Sequence, residues 1–176
     1  MNEYNSMAFN YEDQGDFKTA AYFYQKVIEL AYSCKVHRIS FQNKQFELIA
    51  LLGLGKCFDQ EHEKDKAIEI LEEAFDNACI LEDEEQRLEL VKLIGKELIE
   101  IYIKKAEEFE KINVDEALRA YENALSTSKR AKETENEARI SHKIGELYYQ
   151  DGNYQKSVHF QEVYIDIIKN TTIEQF

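Results

Sequence analysis

Apolar side chains recur along the chain at intervals of three, four and seven residues, the spacing of one face of an α-helix. The longest such stretch covers residues 84–112, where Leu88, Val91, Leu98, Ile101 and Ile112 follow this spacing. With no proline and six glycines, the chain favours long helices over strands. The pattern predicts helices at about 3–14, 17–36, 39–60, 64–80, 84–112, 114–132, 134–150 and 154–169.

Small residues recur at matching places in successive helix pairs. In the first helix of each pair a small residue precedes an aromatic one by three positions; these small residues are Ala8, Gly55, Ala106 and Gly145. A second small residue follows after a turn, at Ala20, Ala67, Ala117 and Ser157. His62 stands where the first and fourth copies have a turn glycine, and the third turn, at 112–114, is one residue shorter. The second small residues lie 47, 50 and 40 positions apart, so the helices are expected to be elongated.

This order of small residue, aromatic, turn, small residue and aromatic resembles the tetratricopeptide repeat (TPR) family. Small side chains let two antiparallel helices approach closely, and aromatic side chains fill the space beside them. A single pair cannot bury its apolar face, so pairs stack. The resemblance implies an all-α, tetratricopeptide-type α-solenoid of about four antiparallel pairs, at 3–36, 39–80, 84–132 and 134–169, in one domain covering 1–176.

Charge and composition argue against several partners. The formal net charge is −13, which opposes binding to nucleic acid or to an anionic membrane surface. No stretch approaches the roughly 18 apolar residues of a membrane span, and the three cysteines show no paired spacing. A cytoplasmic protein that binds other proteins is therefore expected.

No residue pattern points to catalysis, a cofactor or a metal. The sequence lacks phosphate-binding glycine loops and hydrolase elbows, and His37, His62, His142 and His159 have no ligand spacing. The acidic run 82–85 lacks the alternating carboxylates of a calcium loop, so it is interpreted as a helix N-terminus. The aromatic run 22–24 is interpreted as core packing. An enzymatic function is accordingly not expected.

The inner face of such a repeat array is built mainly by the first helix of each pair. Projecting the repeat positions places ten candidate partner-binding residues there: Phe9, Leu52, Lys56, Asp59, Ile103, Glu107, Arg139, His142, Glu146 and Tyr149. The set mixes apolar side chains with both signs of charge, which suits a protein segment. It lacks the lysine and asparagine set with which co-chaperone members hold an acidic chain terminus.

A narrower resemblance is to the ciliary tetratricopeptide repeat protein 29 family, over roughly residues 5–168. It is carried by residues 97–102, by the elongated helix that leads to Ala106, and by residues 137–148. The resemblance implies a scaffold or adaptor of the axoneme, in a cilium or flagellum, associated with inner dynein arms. The alternative is a generic cytosolic TPR peptide receptor or regulatory adaptor unrelated to cilia.

Overall fold

The computed structural model describes residues 1–35 and 42–173, and this part of the chain forms eight helices. They are α1 (Asn2–Asp13), α2 (Phe17–Lys35), α3 (Gln42–Gln60), α4 (Lys64–Cys79), α5 (Glu84–Phe109), α6 (Val114–Ala131), α7 (Thr134–Gln150) and α8 (Tyr154–Ile173). The order and type of the predicted elements are confirmed. His37 lies outside the described residues.

The helices fall into two compact units. In the first, Met1–Glu97, α1 packs on α2, α2 on α3 and α3 on α4, and α3 also touches α1. In the second, Leu98–Phe176, α6 packs on α7 and α7 on α8. Short turns between consecutive packed helices make the pairs antiparallel, which confirms the all-α, tetratricopeptide-type fold class. The prediction of a single domain stays a prediction.

The repeated small residues lie where helices cross. Ala8, Ala20, Ala67, Ala106 and Ala117 are completely buried. A β-carbon added at Gly55 would meet the Leu71 side chain, with its Cγ at 2.6 Å, and one at Gly145 would meet Gln161. These contacts confirm that close helix approach is what the small residues permit.

Buried tyrosines repeat at the same place in the first and third pairs. Tyr24 and Tyr121 each follow the second small residue by four positions, and their rings are buried. Each hydroxyl donates a 2.6 Å hydrogen bond to a glutamate four positions after the first small residue, Glu12 or Glu110. A buried hydroxyl needs such a partner because leaving it unpaired would cost the free energy of its lost hydration.

The turns within the first, second and fourth pairs share one backbone design. Gly15, His62 and Gly152 adopt φ values of +76°, +63° and +79°, in the left-handed region. Each donates its amide three residues back, and the next residue donates five residues back, as in a Schellman motif. His62 therefore occupies a position that favours glycine.

Two details of the sequence prediction were wrong. Helix α5 ends at Phe109 and not near residue 112, because the Asn113 side chain accepts from the Glu116 amide at 3.3 Å and starts α6. Ile112 is 79% exposed, so no burial favours extending α5 to include it. The aromatic run is not uniformly core: Tyr24 is buried, but Tyr22 is 54% exposed.

Candidate protein-binding face

In the second unit, helix α7 and the part of α5 that follows Glu97 border a shallow groove, called here the α5–α7 groove, of about 200 Å³. Two ion pairs connect helix α7 to one glutamate within α5 and one directly after it. Arg139 donates to Glu100 at 2.8 Å, and Lys143 lies 3.2 Å from Glu110. The groove is lined by Ile103, Glu107, Tyr121, Arg139, Ile140, His142 and Lys143.

A second and larger groove, the α7–α8 groove, adjoins the first and has a volume of about 480 Å³. His142 borders both grooves; its Nδ1 lies 3.1 Å from Gln161 Oε1, and its ring lies 4.9 Å from that of Tyr164. Mostly apolar side chains from α8 form the other wall. The groove is lined by Thr134, Glu135, Ala138, Arg139, His142, Tyr164, Ile167, Ile168 and Thr171.

Four of the ten candidate residues meet at the α5–α7 groove: Ile103, Glu107, Arg139 and His142. Ile103 is 6% exposed, so it contributes to the floor and not to the rim. Glu146 and Tyr149 lie further along α7; Tyr149 is exposed and its ring contacts that of Tyr154.

The other four candidates belong to the first unit, and two of them are inaccessible. Leu52 and Asp59 are both 6% exposed, so they form part of the core and not of an open binding surface. Phe9 is half exposed, with its ring edge-to-face on Tyr24 at 5.9 Å. Lys56 is partly exposed and forms an ion pair with Glu97 at 3.7 Å.

The sequence projection missed side chains from the second helix of the last pair. It considered first helices alone, whereas the α7–α8 groove takes Tyr164, Ile167 and Ile168 from α8. At 100° per residue these side chains share one face of the helix. Glu162 and Asp166 lie on the opposite face. This apolar stripe was a signal in the sequence.

Burial keeps two titratable groups in their neutral forms, Tyr121 at the α5–α7 groove and Cys57 in the first unit. Burial raises the pKa of Tyr121 above its ordinary value, and the hydrogen bond to Glu110 raises it further, so the hydroxyl stays neutral. Burial likewise raises the pKa of Cys57 in the first unit to about 12, which leaves the thiol without appreciable thiolate at neutral pH.

The described part of the chain offers neither a cluster of metal ligands nor a membrane-spanning helix. In residues 1–35 and 42–173, no three or more His, Cys, Asp or Glu side chains are grouped so that they could hold a metal ion. Within the same ranges no helix is long and apolar enough to cross a bilayer.

Comparison with known proteins gives a relative that covers most of the chain. Tetratricopeptide repeat protein 29 of Trypanosoma brucei brucei is 25% identical over 163 residues, which is 93% of this chain and 32% of that protein. The chain thus spans about a third of this curated relative. No protein-family model matches the chain.

Solved structures of similar chains have low sequence identity. The crystal structure of BtubC (BKLC) from P. vanneervenii is 19% identical, with a TM-score of 0.49, over 96% of this chain and 63% of that one. The crystal structure of MamA is also 19% identical, with a TM-score of 0.37, over 94% of this chain and 96% of that one.

The repeated small–aromatic spacing, the antiparallel helix pairs and the similarity to a protein named for this repeat agree with one another. Repeats of this kind present helix faces to other proteins. The chain is a helical repeat scaffold of the tetratricopeptide type.

Proposed function

We propose that this chain is a non-catalytic adaptor of the axoneme that holds a partner associated with inner dynein arms in a cilium or flagellum. The observation that carries the proposal is the similarity to tetratricopeptide repeat protein 29 over 93% of the chain. The resemblance of residues 97–102 and 137–148 to the ciliary family supplies the axonemal setting.

The α5–α7 groove supports a protein partner. Its floor is apolar, and Glu107, Arg139 and Lys143 place both signs of charge around it. A partner segment can therefore bury apolar side chains while its own charges replace or join the ion pair between Arg139 and Glu100. Such recognition needs neither nucleotide nor metal.

The test is recovery of partners from flagellated cells that express a tagged copy of the chain. Axonemes are washed with detergent, crosslinked and analysed by mass spectrometry. We expect the chain to stay with the axoneme until high salt releases it, and to crosslink to dynein-arm subunits, with or without chelator. Release by detergent alone, with no axonemal crosslink, would contradict the proposal.

A matched pair of charge reversals tests the face. Arg139→Glu reverses a charge in the groove, whereas Arg119→Glu reverses an exposed arginine that pairs with Glu116 within α6. Surface ion pairs of this kind contribute about 0–1 kcal/mol, so both variants should fold. We expect Arg139→Glu to recover less partner and Arg119→Glu to recover as much as the parent chain. Equal recovery by both variants would exclude this groove as the partner-binding surface.

A second candidate function is a cytosolic peptide receptor, favoured by the size and apolar lining of the α7–α8 groove. An adaptor remains bound to washed axonemes, whereas a receptor exchanges freely. Recovery of the tagged chain in the cytosolic fraction, bound to soluble partners, would favour the receptor.

A further inference from the structure

A pocket of the first unit lies between the start of α2 and the end of α3, and it is called here the α2–α3 pocket. Its volume is about 210 Å³. The half-buried Phe17 and Ala21 of α2 and the buried Cys57 and half-buried Phe58 of α3 form an apolar floor. Helix α1 packs on α2 and helix α4 packs on α3, so the pocket lies within the array of pairs and not on an end face.

The small side chain of Ala21 leaves room for this pocket. Ala21 directly follows the second small residue of its pair, and the other three pairs have a larger aliphatic residue at this place, Ile68, Leu118 or Val158. Ile68 and Leu118 are 8% and 7% exposed, so the chain itself covers that part of the second helix in those two pairs. In the first pair the same part of the helix is free to take an aliphatic group from outside.

The surroundings of the pocket are acidic. Residues 12–18 and 59–66, which the ion pair between Lys18 and Glu61 connects, contain seven carboxylates and three lysines, a net charge of −4. Glu61 and Glu63 line the pocket itself. The Lys18 side chain is 82% exposed, so its ion pair contributes little free energy and can be exchanged for another. The rim therefore favours a positively charged ligand.

Aromatic rings at the same rim already lie beside cations of the chain. The Nζ atom of Lys66 is 5.5 Å from the centre of the Phe58 ring, and the same lysine pairs with Glu63. The Nζ atom of Lys26 is 5.5 Å from the centre of the exposed Tyr22 ring. A cation is attracted to the face of an aromatic ring. The rings and the carboxylates thus favour the same kind of ligand.

An arginine side chain matches the size, the floor and the rim of the pocket. The volume is below the roughly 300–1,000 Å³ of sites for drug-sized ligands, so it suits a single side chain. The methylene groups of arginine can cover the apolar floor while the guanidinium stays in the wet rim. A guanidinium also stacks on aromatic rings and pairs with carboxylates through two parallel hydrogen bonds, which an ammonium group does not do.

We infer that the α2–α3 pocket binds an arginine side chain of a partner protein, with its stem against Ala21 and Phe58 and its guanidinium at Glu61 and Glu63. The site belongs to the first unit and is separate from the α5–α7 groove. It adds a basic residue to the chemistry of the partner, whichever cellular structure that partner belongs to.

A pair of small probes tests the ligand class. N-acetyl-arginine amide presents the side chain, and N-acetyl-citrulline amide keeps its length and planar head but removes the charge. We expect amide NMR spectra of the full chain to show saturable shifts with the arginine probe in the millimolar range, confined to residues around the pocket. The citrulline probe should bind at least about tenfold more weakly. Equal binding of the two probes, or no saturable shift with arginine, would overturn the inference.

Variants of the chain locate the site. Ala21→Leu supplies the residue that the third pair has at this place, so the chain should remain folded, with a thermal midpoint no lower than that of the parent, and should bind arginine at least about tenfold more weakly. Glu61→Gln keeps the shape of the rim and should also weaken binding, whereas Glu84→Gln, at an exposed position in the first turn of α5, should stay within about twofold of the parent. Parent-like binding by folded Ala21→Leu, or equal binding by the two glutamine variants, would show that arginine binds elsewhere. These measurements need no axonemal partner, so neither result bears on the proposed function.

Discussion

At the scale of single residues, each of the two Tyr–Glu hydrogen bonds links the two halves of its own helix pair through side chains. Tyr121→Phe removes the hydroxyl that donates to Glu110 and keeps the ring that fills the core. We expect the free energy of unfolding to fall by about 1 kcal/mol, the usual net contribution of such a hydrogen bond. Chemical denaturation measures the change.

The matched control is Tyr154→Phe, because Tyr154 is 61% exposed and contacts the ring of Tyr149. It should leave the free energy of unfolding within about 0.5 kcal/mol of the parent chain. If the two variants were equally stable, the Tyr121 hydrogen bond would contribute nothing beyond what water supplies.

The left-handed backbone of His62 predicts a substitution that stabilises the chain. A non-glycine residue at φ +63° is strained, and glycine would relieve that strain. Glycine also makes the unfolded chain more flexible, which offsets part of the gain. His62→Gly should therefore raise the free energy of unfolding by up to about 1 kcal/mol. Gly15→Ala should lower the free energy of unfolding, because alanine is strained at this positive φ. The effect comes from the backbone alone, since no atom lies within 4 Å of the added carbon. Thermal melts of both variants check the signs; a stabilised Gly15→Ala would contradict this account.

Single residues also show what the sequence could predict. The small residues were placed correctly because close helix approach excludes larger side chains, whatever the rest of the fold does. Leu52 and Asp59 were placed on a binding face and are buried, because a helix packed on two sides has little free surface. Repeat position alone does not tell how many neighbours a side chain has.

At the scale of elements, α2 and α3 approach closely at Gly53, a glycine that the repeat pattern did not mark. A β-carbon on Gly53 would overlap the ring of Tyr24, which is buried and held by Glu12. Gly53→Ala should therefore destabilise the chain by about 1–3 kcal/mol, although alanine favours a helix by about 1 kcal/mol.

A double-mutant cycle separates the clash from the helix propensity. In a Tyr24→Ala background the ring is gone, so adding Gly53→Ala should have no cost or should stabilise the chain. Denaturant midpoints of the four proteins provide the measurement. An equal loss in both backgrounds would show that the Tyr24 ring is not what Gly53 accommodates.

The helices themselves were largely predictable, whereas the groove on α8 was not. Periodicity fixes which side chains of α8 share a face, but burial depends on what packs there. Ala31 and Ile168 each lie eleven residues after the second small residue of their pair, yet Ala31 is completely buried and Ile168 is 44% exposed. Helix α5 was predicted too long because Ile112 fits its periodicity, while the Asn113 cap ends the helix for local reasons.

At the scale of the whole molecule, the buried tyrosines make stability depend on alkaline pH. Burial first, and hydrogen bonds to glutamates second, raise the pKa of Tyr24 and Tyr121 above the ordinary value of 10.0. The folded state therefore favours the neutral hydroxyls. Their contribution is complete below about pH 10 and is lost as the pH rises further, because the unfolded tyrosines ionise first.

Denaturation followed from pH 8 to pH 12 checks this dependence. The parent chain should lose stability above about pH 10, and Tyr24→Phe/Tyr121→Phe, though less stable at pH 8, should lose less over the same interval. A parallel decline in both proteins would mean that other groups govern the alkaline limit.

The two buried tyrosines also give the chain an intrinsic optical indicator. Burial and the hydrogen bonds to Glu12 and Glu110 keep the hydroxyls of Tyr24 and Tyr121 neutral in the folded chain. These two residues should therefore gain the ultraviolet absorbance of tyrosinate mainly when their helix pairs come apart, so that absorbance reports the loss of helix pairing directly.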